Sequence, residues 1–176
     1  ALLRGRHSLR AADIRSVRAL VPAEVVKTVC EPVATKKRPQ NSYDAQFSIP
    51  YTVATALVRG RFGLAELDEA ALRDETVLAL AARVEYEVDP DSPFPASYSG
   101  EVIVTLNDGR ELRHREQVNR GGAGRPISNA DVVAKFEANM QLVASAERAA
   151  KVREVVLGIG ASVPAHEIQL GLAAGG

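Results

Sequence analysis

The sequence predicts an α+β fold, an antiparallel sheet of about four strands with helices packed on one face. Three observations lead there. Strand-like alternation is confined to two blocks, residues 14–21 and 84–118, while helical spacing fills the stretches between and after them. Asn107-Asp108-Gly109 marks a hairpin, because Asp-Gly supplies the positive φ angles of a tight turn. The chain has 176 residues, 46% hydrophobic and 25% charged, which suits a single core and is too apolar for a disordered chain.

Taken in order, Ala1-Leu2-Leu3-Arg4 reads as the last turns of a helix, with Gly5 as its stop. A chain that opens inside an element and without Met reads as a piece of a longer protein. Ile14 to Val21 is β-branched enough for a strand, with Val17, Ala19 and Val21 on one face. Beyond Pro22 a short helix is expected over Ala23 to Cys30, its apolar stripe being Val25, Val26 and Val29. Pro32 and Pro39 make Glu31 to Asn41 a loop, in which Lys36-Lys37-Arg38 reads as a solvated charge run.

The next helix should run from Ser48 or Pro50 to Arg59. Proline fits a first turn, where a missing N–H costs nothing, and Gly60 fits the C-terminal cap. Leu64 to Leu72 is weakly helical. Asp74 caps a helix through Ala82 that turns Val77, Leu78 and Ala81 inward.

In the second block Val84, Tyr86 and Val88 alternate with glutamates, and a Pro-rich loop covers Asp89 to Pro95. Val102, Val104 and Leu106 alternate with Glu101, Ile103 and Thr105. The return strand carries Leu112 and Val118 with His114 and Glu116 on the same face, and the three strands are expected to form a meander. Tyr86 and Tyr98 read as sheet residues that pack by their rings. Arg120 to Arg125 is a Gly-rich loop. Ser128 and Asp131 make a capping box, with Ile127 and Val132 placed for a hydrophobic staple, and their helix should reach Leu142. A last helix covers Ala146 to Leu157, with Glu147 and Lys151 spaced for an ion pair. The domain is thus expected over 1–160, with a flexible small-residue tail over 161–176.

Charge and composition exclude several classes. The 22 Lys and Arg balance 22 Asp and Glu, so the basic excess that accompanies bulk nucleic-acid or anionic-membrane binding is missing. No apolar stretch approaches the ~18–20 residues of a membrane-spanning helix. The single Cys30 rules out an internal disulfide and a cysteine-cluster metal site, and suits a reducing cytoplasm. His7, His114 and His166 are scattered and fit no ligand or nucleophile motif, so no metal is expected.

Two stretches could carry chemistry. The loop Arg120-Gly121-Gly122-Ala123-Gly124-Arg125 lacks the G-K-[ST] of a phosphate loop and reads first as a connector. Its two arginines, its amides and the helix start at Ser128 would nevertheless suit a carboxylate. Asn41 to Tyr51 gathers tyrosines, serines and an acid around a helix start. Tyr51 falls in the first turn, where the helix dipole favours negative charge and would help a phenol that ordinarily titrates near ~10. Local pattern alone favours a packing role for it.

Asp44 to Ala54, then Ala56-Leu57 and Gly60, resembles the signature of the MmgE/PrpD family, which includes 2-methylcitrate dehydratase, cis-aconitate decarboxylase and iminodisuccinate epimerase. Three more pieces agree in order: Leu106-Asn107-Asp108-Gly109 with the family's L-x-D-G hairpin, Arg120-Gly121 and Pro126-Ile127-Ser128 with its R-G-x-x-x-x-P-L-S loop, and Lys135-Phe136 with the K-F of the following helix. Gln46 stands where many members carry Lys, and Gly122 where an acid is common.

The resemblance implies that this chain is a C-terminal α+β domain, with an all-helical N-terminal domain absent from it. That domain and the segment before Ala1 supply most catalytic His, Lys and Asp residues, and Tyr51 matches the family's active-site tyrosine. The implied activity is a cofactor-independent lyase of the 2-methylcitrate dehydratase type, moving a proton next to a carboxylate of a tricarboxylate or related substrate, in a cytoplasmic homo-oligomer. The isolated chain is then expected to be inactive. Arg120 and Arg125 are candidates for carboxylate contact on charge alone. The alternative is a non-catalytic interaction or regulatory module.

Overall fold

The computed structural model describes residues 1–158 and His166, and the chain divides into two compact units, Ala1–Pro126 and Ile127–Gly176. The expected tail over 161–176 lies outside the described residues except for His166, which is exposed.

The first unit opens with α1 (Leu2–His7), which runs through Gly5 and stops at Ser8, where φ is 51° and the backbone turns left-handed. A 3-10 turn, Ala11–Asp13, leads into β1 (Ile14–Val21). After a second 3-10 turn, Ala23–Val25, come α2 (Val26–Val29), α3 (Val33–Lys37), α4 (Ser42–Gln46) and α5 (Ile49–Arg59). Next are a 3-10 turn, Leu64–Leu67, then α6 (Glu69–Leu72) and α7 (Glu75–Ala81). β2 (Val84–Val88), β3 (Gly100–Leu106) and β4 (Glu111–Glu116) complete the unit.

The fold is α+β, and the sheet order is β2-β1-β3-β4. β1 pairs antiparallel with β3 and β3 with β4, whereas β1 and β2 run parallel. The expected meander is therefore corrected, since β1 lies between β2 and β3. Burial supplies the reason: β1 and β3 hide Ile14, Val17, Ala19, Val21, Ile103, Val104 and Leu106, so they belong in the centre. β2 and β4 alternate with charged residues and serve as edges, where charge discourages further pairing. A register shift between Ile14 and Ser16 inserts Arg15 as a bulge, which brings Ile14 into the core three residues ahead of Val17.

α5 holds the core together. Ser48 caps it, its Oγ accepting from Tyr51 N at 3.0 Å, Pro50 sits in the first turn, and Gly60 ends it with φ 80°. It buries Pro50, Tyr51, Ala54, Thr55 and Leu57 and packs against α7 and the sheet. Asp74 caps α7 by accepting from Thr76 N at 2.9 Å and Val77 N at 3.3 Å. The core joins Leu57, Val77, Leu80 and Val84 to Val17 and Val104.

The expected loop over Glu31 to Asn41 instead contains α3, and its charge run is not simply solvated. Lys36 is buried, Lys37 donates to Ala82 O at 3.0 Å and Glu85 at 2.6 Å, and Arg38 pairs with Glu75 at 3.0 Å. These partners lie more than 35 residues away, beyond any local pattern.

The second unit contains α8 (Asn129–Met140) and α9 (Ala146–Leu157). Ser128 and Asp131 form the capping box as expected, but Ile127 and Val132 are both exposed. Arg153 of α9 pairs with Glu137 of α8, whereas the pair expected within α9, Glu147 with Lys151, is not among the ion pairs of the described residues. Ala149 and Val152 are buried, and α8 has no fully buried residue.

Candidate functional site

The stretch from Asn41 to Tyr51 folds as two capped helices in succession. Asn41 Oδ1 accepts from Asp44 N at 2.9 Å, while the Asp44 carboxylate takes the Gln40 N–H at 3.3 Å and the Asn41 side-chain amide at 3.1 Å. Phe47 then ends α4 and Ser48 starts α5, its hydroxyl donating to the Lys36 carbonyl. Ser48 thus ties the motif to α3. Tyr43 and Phe47, one helical turn apart, meet as a tilted pair with ring centroids 5.0 Å apart and remain exposed.

Tyr51 is fully buried. Its ring meets Phe62 edge-on at 6.2 Å, and its hydroxyl donates to the Glu66 carbonyl at 2.9 Å. Burial pushes the phenol above its ordinary value, which outweighs the help expected from the helix start. Glu66 is itself buried and accepts from Arg61 Nε at 2.8 Å and Gly63 N at 2.8 Å, so the turn that receives Tyr51 is fixed from both sides.

That turn borders a groove of about 740 Å³ whose walls include Arg38, Gln40, Asn41, Leu67, Asp68 and Arg73. Arg38 faces Glu75 at 3.0 Å and Arg73 faces Glu69 at 3.2 Å, with all four side chains at least 62% exposed. Such exposed pairs contribute little, ~0–1 kcal/mol, and can be exchanged for a ligand carboxylate. Asp68 is committed, since it caps α6 through Ala71 N at 2.6 Å. Sequence reasoning passed over Arg38 and Arg73. The signal was the charge run 36–38, whose last member reaches the groove.

The Gly-rich loop lies elsewhere, beyond the end of β4. Gly121, with φ 98°, donates to Arg125 O at 2.8 Å, and Arg125 N donates to Gly122 O at 3.0 Å. Two of the amides expected to cradle an anion are thus spent within the loop. The Arg125 guanidinium pairs with Glu116 and donates to Val118 O at 3.2 Å. Glu116 also meets His114 Nε2 at 2.8 Å, and these two contacts, His114 first, hold its carboxyl below the usual range. Arg120 is exposed. Tyr51 and Arg125 therefore serve different parts of the unit, one the 64–67 turn and the other the end of β4.

The remaining sequence candidates are structural. Cys30 is buried, and burial pushes its thiol up to about 11, away from reactivity. Tyr86 donates to Glu31 at 2.9 Å, and Tyr98 meets Phe94 edge-on at 5.2 Å outside the strands. His7 is exposed. Among the described residues no three His, Cys, Asp or Glu side chains converge on a metal position, and no helix is long and apolar enough to cross a membrane.

Comparison with known proteins places this geometry. The model of the MmgE/PrpD C-terminal domain matches residues 1–159. Cis-aconitate decarboxylase of Homo sapiens is 28% identical over 129 residues, covering 69% of this chain and 27% of that protein. The Mus musculus cis-aconitate decarboxylase is 26% identical over 129 residues, covering 69% of this chain and 26% of its own length. The chain thus spans about a quarter of the relatives it matches. With the family model running through both units, the chain belongs to the MmgE/PrpD family and is built as its C-terminal domain.

Proposed function

We propose that this chain is the α+β part of a cofactor-independent lyase of the 2-methylcitrate dehydratase type, acting on a tricarboxylate or related carboxylate. The reaction would move a proton at carbon next to a carboxylate, with loss of water or carbon dioxide or with inversion. The observation that carries this reading is the family match across residues 1–159, together with relatives named as cis-aconitate decarboxylases. An all-helical N-terminal domain would supply the proton-transfer groups, in a cytoplasmic homo-oligomer.

Within the chain, the groove beside the 64–67 turn is suited to part of the substrate. Arg38 and Arg73 offer guanidinium groups whose present partners are exposed and easily displaced. Arg120 and Arg125 stay candidates for carboxylate contact by charge and by their place in the R-G-x-x-x-x-P-L-S loop. The geometry supports a positioning role for Tyr51: its hydroxyl fixes the Glu66 backbone next to the groove wall instead of opening onto it.

The test uses the full-length polypeptide that carries this chain, assayed with 2-methylcitrate and cis-aconitate by the alkene absorbance. Tyr51→Phe keeps the ring and removes the hydroxyl. Positioning through Glu66 predicts a stability loss of about 1 kcal/mol and a modest fall in kcat with an unchanged pH profile. A fall of ~10²–10⁴-fold with the fold intact would instead make Tyr51 a direct proton donor. Absence of turnover in a well-folded full-length protein would favour the non-catalytic module, a reading supported by the burial of Tyr51 and the engagement of its hydroxyl by the Glu66 carbonyl.

A further inference from the structure

We propose that an open apolar trough along α5 is the docking face for the N-terminal helical domain of the same polypeptide, which rests on the two-domain reading of the chain. α5 is apolar on two sides. The inner side buries Pro50, Tyr51, Ala54, Thr55 and Leu57. The other side carries Ile49, Val53 and Ala56, spaced four and three residues apart, and all three are half-buried. Between Ile49 and Arg59 the charged residue is Arg59, the last of the helix. A helix on the outer surface of a globule turns charge to solvent, whereas one that is apolar all round is covered on every side. Within this chain α5 is fully covered on its inner side and left open on the other.

Two adjoining hollows make the trough. The first, about 290 Å³, is walled by Val25, Val29, Ile49, Val53 and Val102. The second, about 100 Å³, shares Val53 and Val102 and continues to Leu2, Ala56, Leu57 and His114. Leu2 is half exposed there. The polar groups on the rim are already engaged. Ser99 donates to Asp89 at 2.6 Å, Glu101 takes Arg113 at 3.0 Å and Arg115 at 3.1 Å, and His114 meets Glu116 at 2.8 Å. The trough therefore offers apolar contact without an unpaired charge, which suits the packed side of a helix.

Placement selects the occupant. The chain covers 27% and 26% of the two decarboxylases it matches, and the family model that matches it is that of a C-terminal domain. Ala1 itself lines the second hollow, so polypeptide joined to Ala1 starts on the trough. A domain tethered there is held against this face at high effective concentration, an advantage that a free partner or a second copy lacks.

Val53→Cys and Ala56→Cys are each placed in the 176-residue chain and in the full-length polypeptide that carries it, then reacted with a maleimide. The natural Cys30 is buried and adds little signal. Both new thiols should react readily in the 176-residue chain and at least about a hundredfold more slowly in the full-length protein. Glu87→Cys, at an exposed position of β2, should react alike in both. Ala56→Glu should leave the thermal midpoint of the 176-residue chain within about 2 °C of the parent and lower that of the full-length protein by about 5 °C or more. Equal labelling in the two proteins, or an equal effect of Ala56→Glu, would overturn the docking face. Protection already present in the 176-residue chain would overturn it too, assigning the trough to a second copy if dilution removes the protection and to the chain itself if dilution does not. Labelling needs no turnover, so the two readings fail separately. A full-length protein that shields both thiols but acts on no carboxylate keeps the docking face and rejects the lyase, and one that turns over substrate with both thiols open does the reverse.

Discussion

The two faces of the sheet are built from the same strands and held by opposite physics. On the inner face, register aligns Val84, Val17, Val104 and Leu112 across all four strands, and α5 and α7 contribute to the same core. On the outer face the neighbouring row is Glu85, Arg18, Ile103 and Arg113, and the next is Glu87, Leu20, Glu101 and Arg115. Arg18 reaches Glu87 at 3.2 Å and Glu111 at 3.6 Å, while Glu101 takes Arg113 at 3.0 Å and Arg115 at 3.1 Å. At the end of this face Asp89, its side chain wholly buried, accepts from Arg115 at 2.9 and 3.1 Å and from Ser99 at 2.6 Å. One face derives its stability from burial, the other from matched charge, so they should answer differently to cavities, pH and salt.

The largest effect belongs to the inner face. Leu80 is fully buried in α7 among Val17, Val84 and Val104. Leu80→Ala should cost about 3–4 kcal/mol in denaturant unfolding, with little dependence on salt or on pH between 4 and 8. A cost under 1 kcal/mol would mean that the core collapses into the space.

The outer face ranks next, at Asp89. Burial by itself would raise this carboxyl, but the hydrogen bonds from Arg115, Ser99 and the Asp91 N–H outweigh it and hold the group below the usual range. A depressed folded value means that the stabilisation is fully present above the unfolded value of ~3.9 and is lost as pH falls through the folded one. Asp89→Asn should therefore cost about 2–3 kcal/mol at neutral pH, and the gap to the parent should close below about pH 4. A gap that persists unchanged at pH 2 would assign the loss to packing.

The smallest effect is expected at Arg18, whose side chain is 39% exposed. Arg18→Gln should cost ~0–1 kcal/mol at low salt and nothing measurable in 1 M salt, where the screening length is about 3 Å. A large, salt-insensitive cost would show that Arg18 acts by covering Ile103 with its stem, and the contrast between the faces would shrink accordingly.

The candidate site was half legible in the sequence. Asn41, Ser48 and Gly60 declare their roles locally, because capping involves residues two to four positions apart. That Tyr51 would be spent on the Glu66 carbonyl was not legible. The partner lies 15 residues away in a turn with weak periodicity, and a backbone carbonyl leaves no trace in residue type. The groove was hidden for the same reason, since Arg38 and Arg73 come from different elements, α3's end and α6's end. Gly5 misled as a stop because the αL turn fell to Ser8, whose N–H reaches back to the Arg4 carbonyl.

By itself the sequence determined the α+β class, the bounds of β1 and α9, the caps at Ser48, Asp74 and Ser128, the hairpin at Gly109 and the family signature. All of these depend on periodicity and on backbone preferences acting over a few residues. Tertiary structure alone decided the strand order, the parallel pairing of β1 with β2, the Arg15 bulge and which polar groups were satisfied. Those outcomes depend on how much apolar surface each strand must hide and on which donor meets which acceptor across 15 to 92 residues of chain. Such choices are made by the whole core at once, and no local window contains them.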